Sequence, residues 1–238
     1  MLRALLLENL HPQARTIMEA AGFEVITRSG ALDEAELADA LQGVHLLGIR
    51  SKTQVTETVL ESAGDLIAIG AYCIGTNQID LGAAASRGVA TFNAPFSNTR
   101  SVVEIALADI IALTRRLTVL DRSMHDGVWN KSADGAHEVR GRTLGIVGYG
   151  NIGAQLSVLA ENLGMSVVFY DTAEKLALGN ARRADSLDEL LDVADIVTLH
   201  VDGRSGNAGL FGAKQFARMR EGAIFLNLSR GFVVDYAA

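Results

Sequence analysis

The chain has 238 residues, of which 49% are hydrophobic and 5% aromatic, and its formal net charge is −7. This length suits one large domain or two modest ones with aliphatic cores. The acidic balance argues against a nucleic-acid surface, which normally shows a basic patch. No apolar segment is long enough to span a membrane, and the single cysteine, Cys73, excludes an intramolecular disulfide. These features favour a cytoplasmic protein without nucleic-acid or membrane partners.

Strand-like and helix-like segments alternate through the first hundred residues. Short apolar runs predict strands at residues 2–7, 23–27, 44–49, 66–70 and 89–92. Helical spacing of apolar residues predicts helices around residues 12–21, 33–41, 56–63 and 80–87. Such regular alternation predicts a parallel sheet with helices on its faces.

A turn-rich segment at residues 93–100 interrupts this alternation and contains one of the two prolines. Ser101, followed three residues later by Glu104, predicts a capping box at the start of a helix. That helix is apolar nearly all round over residues 105–113, which predicts burial between two lobes or between subunits. We therefore expect two lobes, residues 1–98 and 99–238, and a homodimer or higher homo-oligomer.

The most specific pattern is Gly148-Tyr149-Gly150-Asn151-Ile152-Gly153, which follows an apolar run at residues 143–147. Apolar side chains then recur at helical spacing, and a second apolar run, residues 167–170, ends in Asp171. A strand, a glycine turn, a helix and a second strand ending in an acid form the dinucleotide-binding fingerprint. The first glycine permits the tight turn, the second permits close approach of a pyrophosphate, and the third permits packing of the helix on the strand.

The same pattern predicts which dinucleotide binds. Unpaired N–H groups at the helix N-terminus would meet the phosphates. Asp171 would accept hydrogen bonds from the ribose hydroxyls and repel a 2′-phosphate, which favours NAD over NADP. Further strands at residues 195–199 and 223–228 extend this sheet to about five strands. The sequence thus predicts an α/β fold with two doubly wound parallel-sheet lobes, the second being a Rossmann lobe.

Longer strings resemble one family. Residues 92–104 resemble the lobe junction of D-isomer-specific 2-hydroxyacid dehydrogenases, and residues 73–81, 127–131 and 175–181 resemble its bacterial members that act on 3-phosphoglycerate. The match runs across essentially the whole chain. The resemblance implies a flavodoxin-like substrate lobe beside the NAD-binding lobe. It also implies NAD-dependent oxidation of 3-phosphoglycerate to 3-phosphohydroxypyruvate, which opens serine biosynthesis.

The resemblance also implies which residues form the site, and it implies no metal ion there. Substrate-binding positions are Arg50, Ser51, Ile74, Gly75 and Asn98. Cofactor-binding positions are Gly148, Gly150, Asn151, Ile152, Gly153, Asp171, Val201, Leu228, Ser229 and Arg230. Arg230 is the catalytic position, where a guanidinium would bind the substrate carboxylate and polarise its C2 oxygen, and Arg50 would suit the substrate phosphate. Without the resemblance, the favoured interpretation of Arg50 is a solvated charge at a strand end.

The reaction also needs a base for the hydroxyl proton. The resemblance implies a histidine in a His-x-Gly context after Arg230, which none of the five histidines matches, and His200 reads as a packing residue or a backbone neighbour of the cofactor. We therefore expect a C-terminally truncated form with turnover near background. Two alternatives stay open: a non-catalytic NAD-binding or assembly module derived from the family, and a dehydrogenase for another D-2-hydroxy acid such as glycerate or lactate.

Overall fold

A computed structural model describes all 238 residues and divides them into two compact units, Met1–Asn98 and Thr99–Ala238. Each unit contains one five-stranded sheet in which every strand pair is parallel. None of the helices combines the length and the apolar character needed to cross a bilayer. The predicted class, two doubly wound parallel-sheet lobes, is confirmed.

Unit 1 alternates five strands with four helices. Its elements are β1 (Arg3–Leu6), α1 (Pro12–Ala20), β2 (Glu24–Thr27), α2 (Glu34–Ala40), β3 (Leu46–Ile49), α3 (Glu57–Ser62), β4 (Ala68–Ala71), α4 (Leu81–Ser86) and β5 (Ala90–Asn93). The strand order is β2-β1-β3-β4-β5, the flavodoxin-like order. Each predicted strand and helix of this unit is present, with ends that differ from the prediction by at most two residues.

Local side chains set the starts of the unit 1 helices. Asp33 and Glu36 form a complete capping box at α2, while Thr56 and Asp80 accept backbone N–H bonds at the starts of α3 and α4. The core beneath these helices consists of aliphatic residues such as Leu37 and Ile69, both fully buried. The helices are short, so their stability comes mainly from this packing.

Unit 2 begins with two helices and continues as a dinucleotide-type sheet. Its elements are α5 (Thr99–Thr114), α6 (Leu117–His125), β6 (Thr143–Val147), α7 (Asn151–Asn162), β7 (Ser166–Tyr170), β8 (Arg182–Arg183), α8 (Leu187–Val193), β9 (Ile196–Leu199), α9 (Ala213–Arg218) and β10 (Ile224–Asn227). The strand order is β10-β9-β6-β7-β8. Counted from β6, this is the order of the first five Rossmann strands.

The start of α5 differs from the prediction. The helix begins at Thr99, so Ser101 lies inside its first turn, and Glu104 accepts a bond from Arg100 at 2.9 Å rather than capping the backbone. The predicted capping box is therefore wrong, because the helix extends two residues further towards the turn. Burial is also one-sided: Ile110 is fully buried, whereas Ile105 is 54% exposed.

Helix α6 was not predicted. Arg116, in a left-handed conformation with φ 56°, separates it from α5. No residue of α6 is buried, although Leu117, Leu120 and Met124 recur at helical spacing, a signal that the sequence prediction did not use.

Candidate functional site

The glycine turn after β6 has the close approaches that its sequence predicts. Gly148 has φ +94°, and a Cβ there would lie 2.8 Å from the carbonyl carbon of His200 and 2.9 Å from the Val201 nitrogen. A Cβ at Gly153 would overlap the carbonyl oxygen of Gly148. Both positions therefore exclude any side chain, the first for the turn and the second for helix packing.

The middle glycine has a different role. A Cβ at Gly150 would meet no atom within 4 Å, so the fold itself does not require glycine there. Gly150 is the N-cap of α7 and offers no side chain to the first N–H groups, which belong to Asn151, Ile152 and Gly153. An open space beside uncapped N–H groups is what a pyrophosphate needs, so these residues fit a dinucleotide.

Asp171 lies immediately after β7 and is tied to the glycine turn. Its Oδ2 accepts the N–H of Tyr149 at 2.8 Å, and its Oδ1 accepts the N–H of Ala173 at 2.8 Å. Each carboxylate oxygen keeps a further acceptor position for a hydroxyl group. The predicted ribose acid and the predicted pyrophosphate turn therefore meet at one edge of the unit 2 sheet.

His200 follows β9 and packs beside this turn through its backbone. Its Nε2 lies 3.0 Å from the hydroxyl of Thr198, and its Nδ1 has no hydrogen-bond partner. Burial lowers the pKa of His200 from 6.5 to about 4, so the imidazole is neutral at physiological pH. Val201, a predicted cofactor contact, continues the same segment and is half-buried.

The loop after β10 carries Leu228, Ser229 and Arg230, and Asn227 holds it. Asn227 Oδ1 accepts the Ser229 N–H at 3.0 Å and its hydroxyl at 2.7 Å, while Nδ2 donates to the Arg230 carbonyl at 3.0 Å. The Arg230 guanidinium donates to the Ser229 carbonyl at 3.1 Å and pairs with no carboxylate. A half-buried arginine without a counter-ion can bind a carboxylate ligand.

In unit 1, the predicted substrate residues follow two adjacent strands. Arg50 and Ser51 follow β3, and Ile74 and Gly75 lie beyond β4. The Arg50 side chain is exposed and forms no ion pair. Asn98 is the last residue of unit 1 and is also exposed.

Sequence reasoning missed the residues that hold these loops. Glu8 is 8% exposed and Gln78 is 3% exposed, and both bond the backbone of Arg50. Glu8 follows β1 at the carboxyl end of a parallel strand, the edge where polar groups of such sheets gather. This position, directly after a predicted strand, is the sequence feature that could have identified Glu8.

An apolar cavity of about 320 Å³ lies on the sheet face of unit 1. Its lining includes Met18, Leu46, Tyr72 and Phe92 but none of the predicted site residues. No group of three or more His, Cys, Asp or Glu side chains is arranged to hold a metal ion.

Comparisons with known proteins agree with this geometry. Residues 107–238 match the family model described as D-isomer specific 2-hydroxyacid dehydrogenase, NAD binding domain. The TT0316 protein from Thermus thermophilus, a solved structure, has a TM-score of 0.91 and 30% identity, covering 99% of this chain and 76% of that chain.

Curated relatives extend the likeness over the full 238 residues. The D-3-phosphoglycerate dehydrogenase of Haemophilus influenzae is 49% identical over 238 residues, which is 100% of this chain and 58% of the relative. D-3-phosphoglycerate dehydrogenase 1 of Saccharomyces cerevisiae is 51% identical over 234 residues, 98% of this chain and 50% of the relative. The chain thus spans between 50% and 58% of the length of these proteins. From the matched domain and the geometry of its glycine turn, we conclude that the chain belongs to the D-isomer-specific 2-hydroxyacid dehydrogenase family and includes its NAD-binding domain.

Proposed function

We propose that this chain forms the substrate- and cofactor-binding part of an NAD-dependent enzyme that oxidises 3-phosphoglycerate to 3-phosphohydroxypyruvate. The observation that carries the proposal is its 47–51% identity, over the whole chain, to relatives named D-3-phosphoglycerate dehydrogenase. In organisms that make serine by this route, the reaction would be its first step. The single cysteine is consistent with a cytoplasmic location.

The cofactor part of the proposal assigns roles to unit 2. The N–H groups at the start of α7 bind the pyrophosphate, and Asp171 binds the adenosine ribose and disfavours NADP by repulsion of its 2′-phosphate. Val201 contributes backbone near the adenosine, and Leu228 and Ser229 border the nicotinamide ribose. When bound, NAD supplies the acceptor for the hydride that leaves C2.

The substrate part assigns one charge to each anionic group. Arg230 binds the carboxylate and polarises the C2 oxygen, while Arg50 binds the phosphate and Ser51, Ile74, Gly75 and Asn98 line the substrate. Both guanidinium groups are free of carboxylate partners, which supports this use. A phosphate contact at Arg50 favours 3-phosphoglycerate over glycerate or lactate.

The reaction needs a base that accepts the proton of the substrate hydroxyl and has a pKa near neutral pH. Since burial lowers the pKa of His200 to about 4 and its imidazole bonds only Thr198, His200 does not serve. We propose that these 238 residues alone bind NADH and turn over 3-phosphoglycerate near the background rate.

The partner in the proposal is a second copy of the chain. Apolar side chains are exposed along α5, α6 and the segment that follows them in unit 2; they are Ile105, Leu113, Leu117, Val119, Met124, Val128 and Trp129. Exposed apolar side chains of this kind suit a subunit interface. Light scattering after size exclusion tests this: a dimer or larger oligomer is expected, and Leu117→Glu should shift it towards monomer.

The assay that tests the function uses the complete protein with NAD and three substrates: 3-phosphoglycerate, D-glycerate and D-lactate. NADH absorbance should report turnover with 3-phosphoglycerate at a kcat/KM well above that for the other two. Preference for an unphosphorylated acid would overturn the substrate class. NADH binding without turnover on any of them would indicate a non-catalytic module.

A further inference from the structure

The loop that carries Arg50 is held by a buried carboxylate. Glu8 Oε1 accepts the N–H of Arg50 at 3.2 Å and of Thr53 at 2.9 Å, and Oε2 accepts the N–H of Lys52 at 3.1 Å. Burial raises the pKa of Glu8, and the hydrogen bonds from Thr53, Lys52 and Arg50 lower it further than burial raises it. Glu8 is therefore an anion whose charge is balanced by the backbone of this loop.

A second buried side chain holds the same residue from the other side. Gln78 Nε2 donates to the carbonyl of Arg50 at 2.7 Å and to the carbonyl of Gly75 at 3.1 Å. One amide thus links the segment after β3 to the segment after β4. Together, Glu8 and Gln78 bind both the N–H and the C=O of Arg50.

These contacts leave the Arg50 side chain free. Glu8 forms no ion pair with the guanidinium, although the two residues share a backbone hydrogen bond. An anion placed here only to neutralise Arg50 would pair with its side chain. The backbone of the loop is instead fixed while the Arg50 guanidinium stays exposed to solvent.

Backbone conformation shows that the arrangement is costly to form. Glu8 and Asn9 both have left-handed conformations, with φ 60° and 53°, which non-glycine residues rarely adopt. Such conformations persist where surrounding contacts determine them, and they concentrate at functional sites. The left-handed residues lie at the strand end where Glu8 meets the 50–53 loop.

We propose that Glu8 and Gln78 are positioning residues that preset the Arg50 loop and the Ile74–Gly75 segment for an anionic substrate. This inference rests on the proposed function, because it assigns the loop to phosphate binding. Preorganisation of this kind lowers the ordering cost of binding, so its loss should appear mainly in KM.

The test compares Glu8→Gln in the complete protein with the matched control Glu24→Gln, whose carboxylate forms only an exposed pair with Arg3. In Glu8→Gln, an amide N–H₂ replaces one acceptor oxygen among three N–H donors. We expect KM for 3-phosphoglycerate to rise about tenfold, with kcat and the Kd for NADH changed less than about threefold. Amide hydrogen exchange at residues 50, 52 and 53 should accelerate in Glu8→Gln and not in Glu24→Gln.

A double-mutant cycle with Arg50→Ala separates positioning from a general structural role. If Glu8 acts through Arg50, Glu8→Gln should change KM little in the Arg50→Ala background, whereas full multiplication of the two effects would overturn the inference. Unchanged KM despite faster exchange, or unchanged exchange, would also overturn it. If Glu8→Gln does not fold, the same measurements are made on Gln78→Met, and the same results support or overturn the inference. A wild-type protein inactive on 3-phosphoglycerate would instead refute the proposed function, while the exchange data still report whether Glu8 holds the loop.

Discussion

The turn after β6 and the loop after β3 lie at the carboxyl edges of their parallel sheets, yet they offer an anion different groups. The turn offers backbone: its helix N-terminus is uncapped, and Gly150 leaves open space beside it. In the loop after β3, Glu8 already occupies the N–H groups of Arg50, Lys52 and Thr53. With these N–H groups occupied, an anion there is left mainly with side chains, among them the exposed cations of Arg50 and Lys52, neither of which forms an ion pair.

The loop after β10 is similar to the loop after β3, because it offers an anion a side chain rather than backbone N–H groups. Asn227 takes up the N–H of Ser229 and the carbonyl of Arg230, so the guanidinium is the charged group left to a ligand. Where a polar side chain already bonds the loop backbone, as in the loops after β3 and β10, an anion is left to the side chains, the arginine among them. Where no side chain caps the N–H groups, as at the start of α7 in the turn after β6, an anion can bind these backbone groups.

The largest expected effect concerns Arg230. Replacement by alanine in the complete protein should lower kcat/KM for 3-phosphoglycerate by about 10²–10³-fold, the usual cost of losing a donor to a developing oxyanion. Arg230→Lys should recover part of the loss, and NADH affinity should change little. A full loss of NADH binding would show that Arg230 acts on the cofactor rather than on the substrate.

The glycine turn should respond to alanine in two distinct ways. Gly153→Ala should destabilise unit 2 by about 3 kcal/mol, because its Cβ would overlap the Gly148 carbonyl. Gly150→Ala should leave the denaturation midpoint unchanged and weaken NADH binding, since open space surrounds that position. Equal stability losses in both variants would contradict the assignment of Gly150 to ligand approach.

The buried histidine beside the turn should make stability depend on pH. Because its folded-state pKa is about 4 and its ordinary value is 6.5, the unfolded chain binds more protons between these values. Stability is therefore full above about pH 6.5 and falls as pH approaches 4. At pH 5 the loss from His200 should reach ~2 kcal/mol. His200→Gln should flatten this slope, whereas His125→Gln, at an exposed position, should not.

The smallest of these effects is expected at Arg50. Arg50→Ala should raise KM for 3-phosphoglycerate about tenfold through loss of a charge-assisted bond, with little change for D-glycerate. An unchanged KM for 3-phosphoglycerate would leave Arg50 as a solvated charge at a strand end, and the contrast between the two anion-facing loops would fail.

Patterns that are local in sequence were predictable. Nine of the ten strands and the glycine turn follow from apolar runs and from spacings of a few residues; the exception is β8, which consists of Arg182 and Arg183. Asp171 lies about twenty residues after the turn, at the position that the fingerprint specifies. The Glu8 contact was not predictable in the same way, because it joins residues more than forty positions apart. Helix α6 could have been predicted from the helical spacing of Leu117, Leu120 and Met124. The α5 cap was misplaced because Ser101 and Glu104 fit a pattern that the extended helix does not use.

The central claim, that the turn after β6 binds NAD through its backbone and that Asp171 selects it, is tested by one calorimetric comparison. NADH and NADPH are titrated into the polypeptide of these 238 residues and into its Asp171→Ala variant, and the ratio of the two Kd values is compared. We predict clearly tighter binding of NADH by the wild-type chain and a ratio much nearer to one in Asp171→Ala, because the repelling carboxylate is gone. Equal affinities for both cofactors in the wild-type chain would contradict the account.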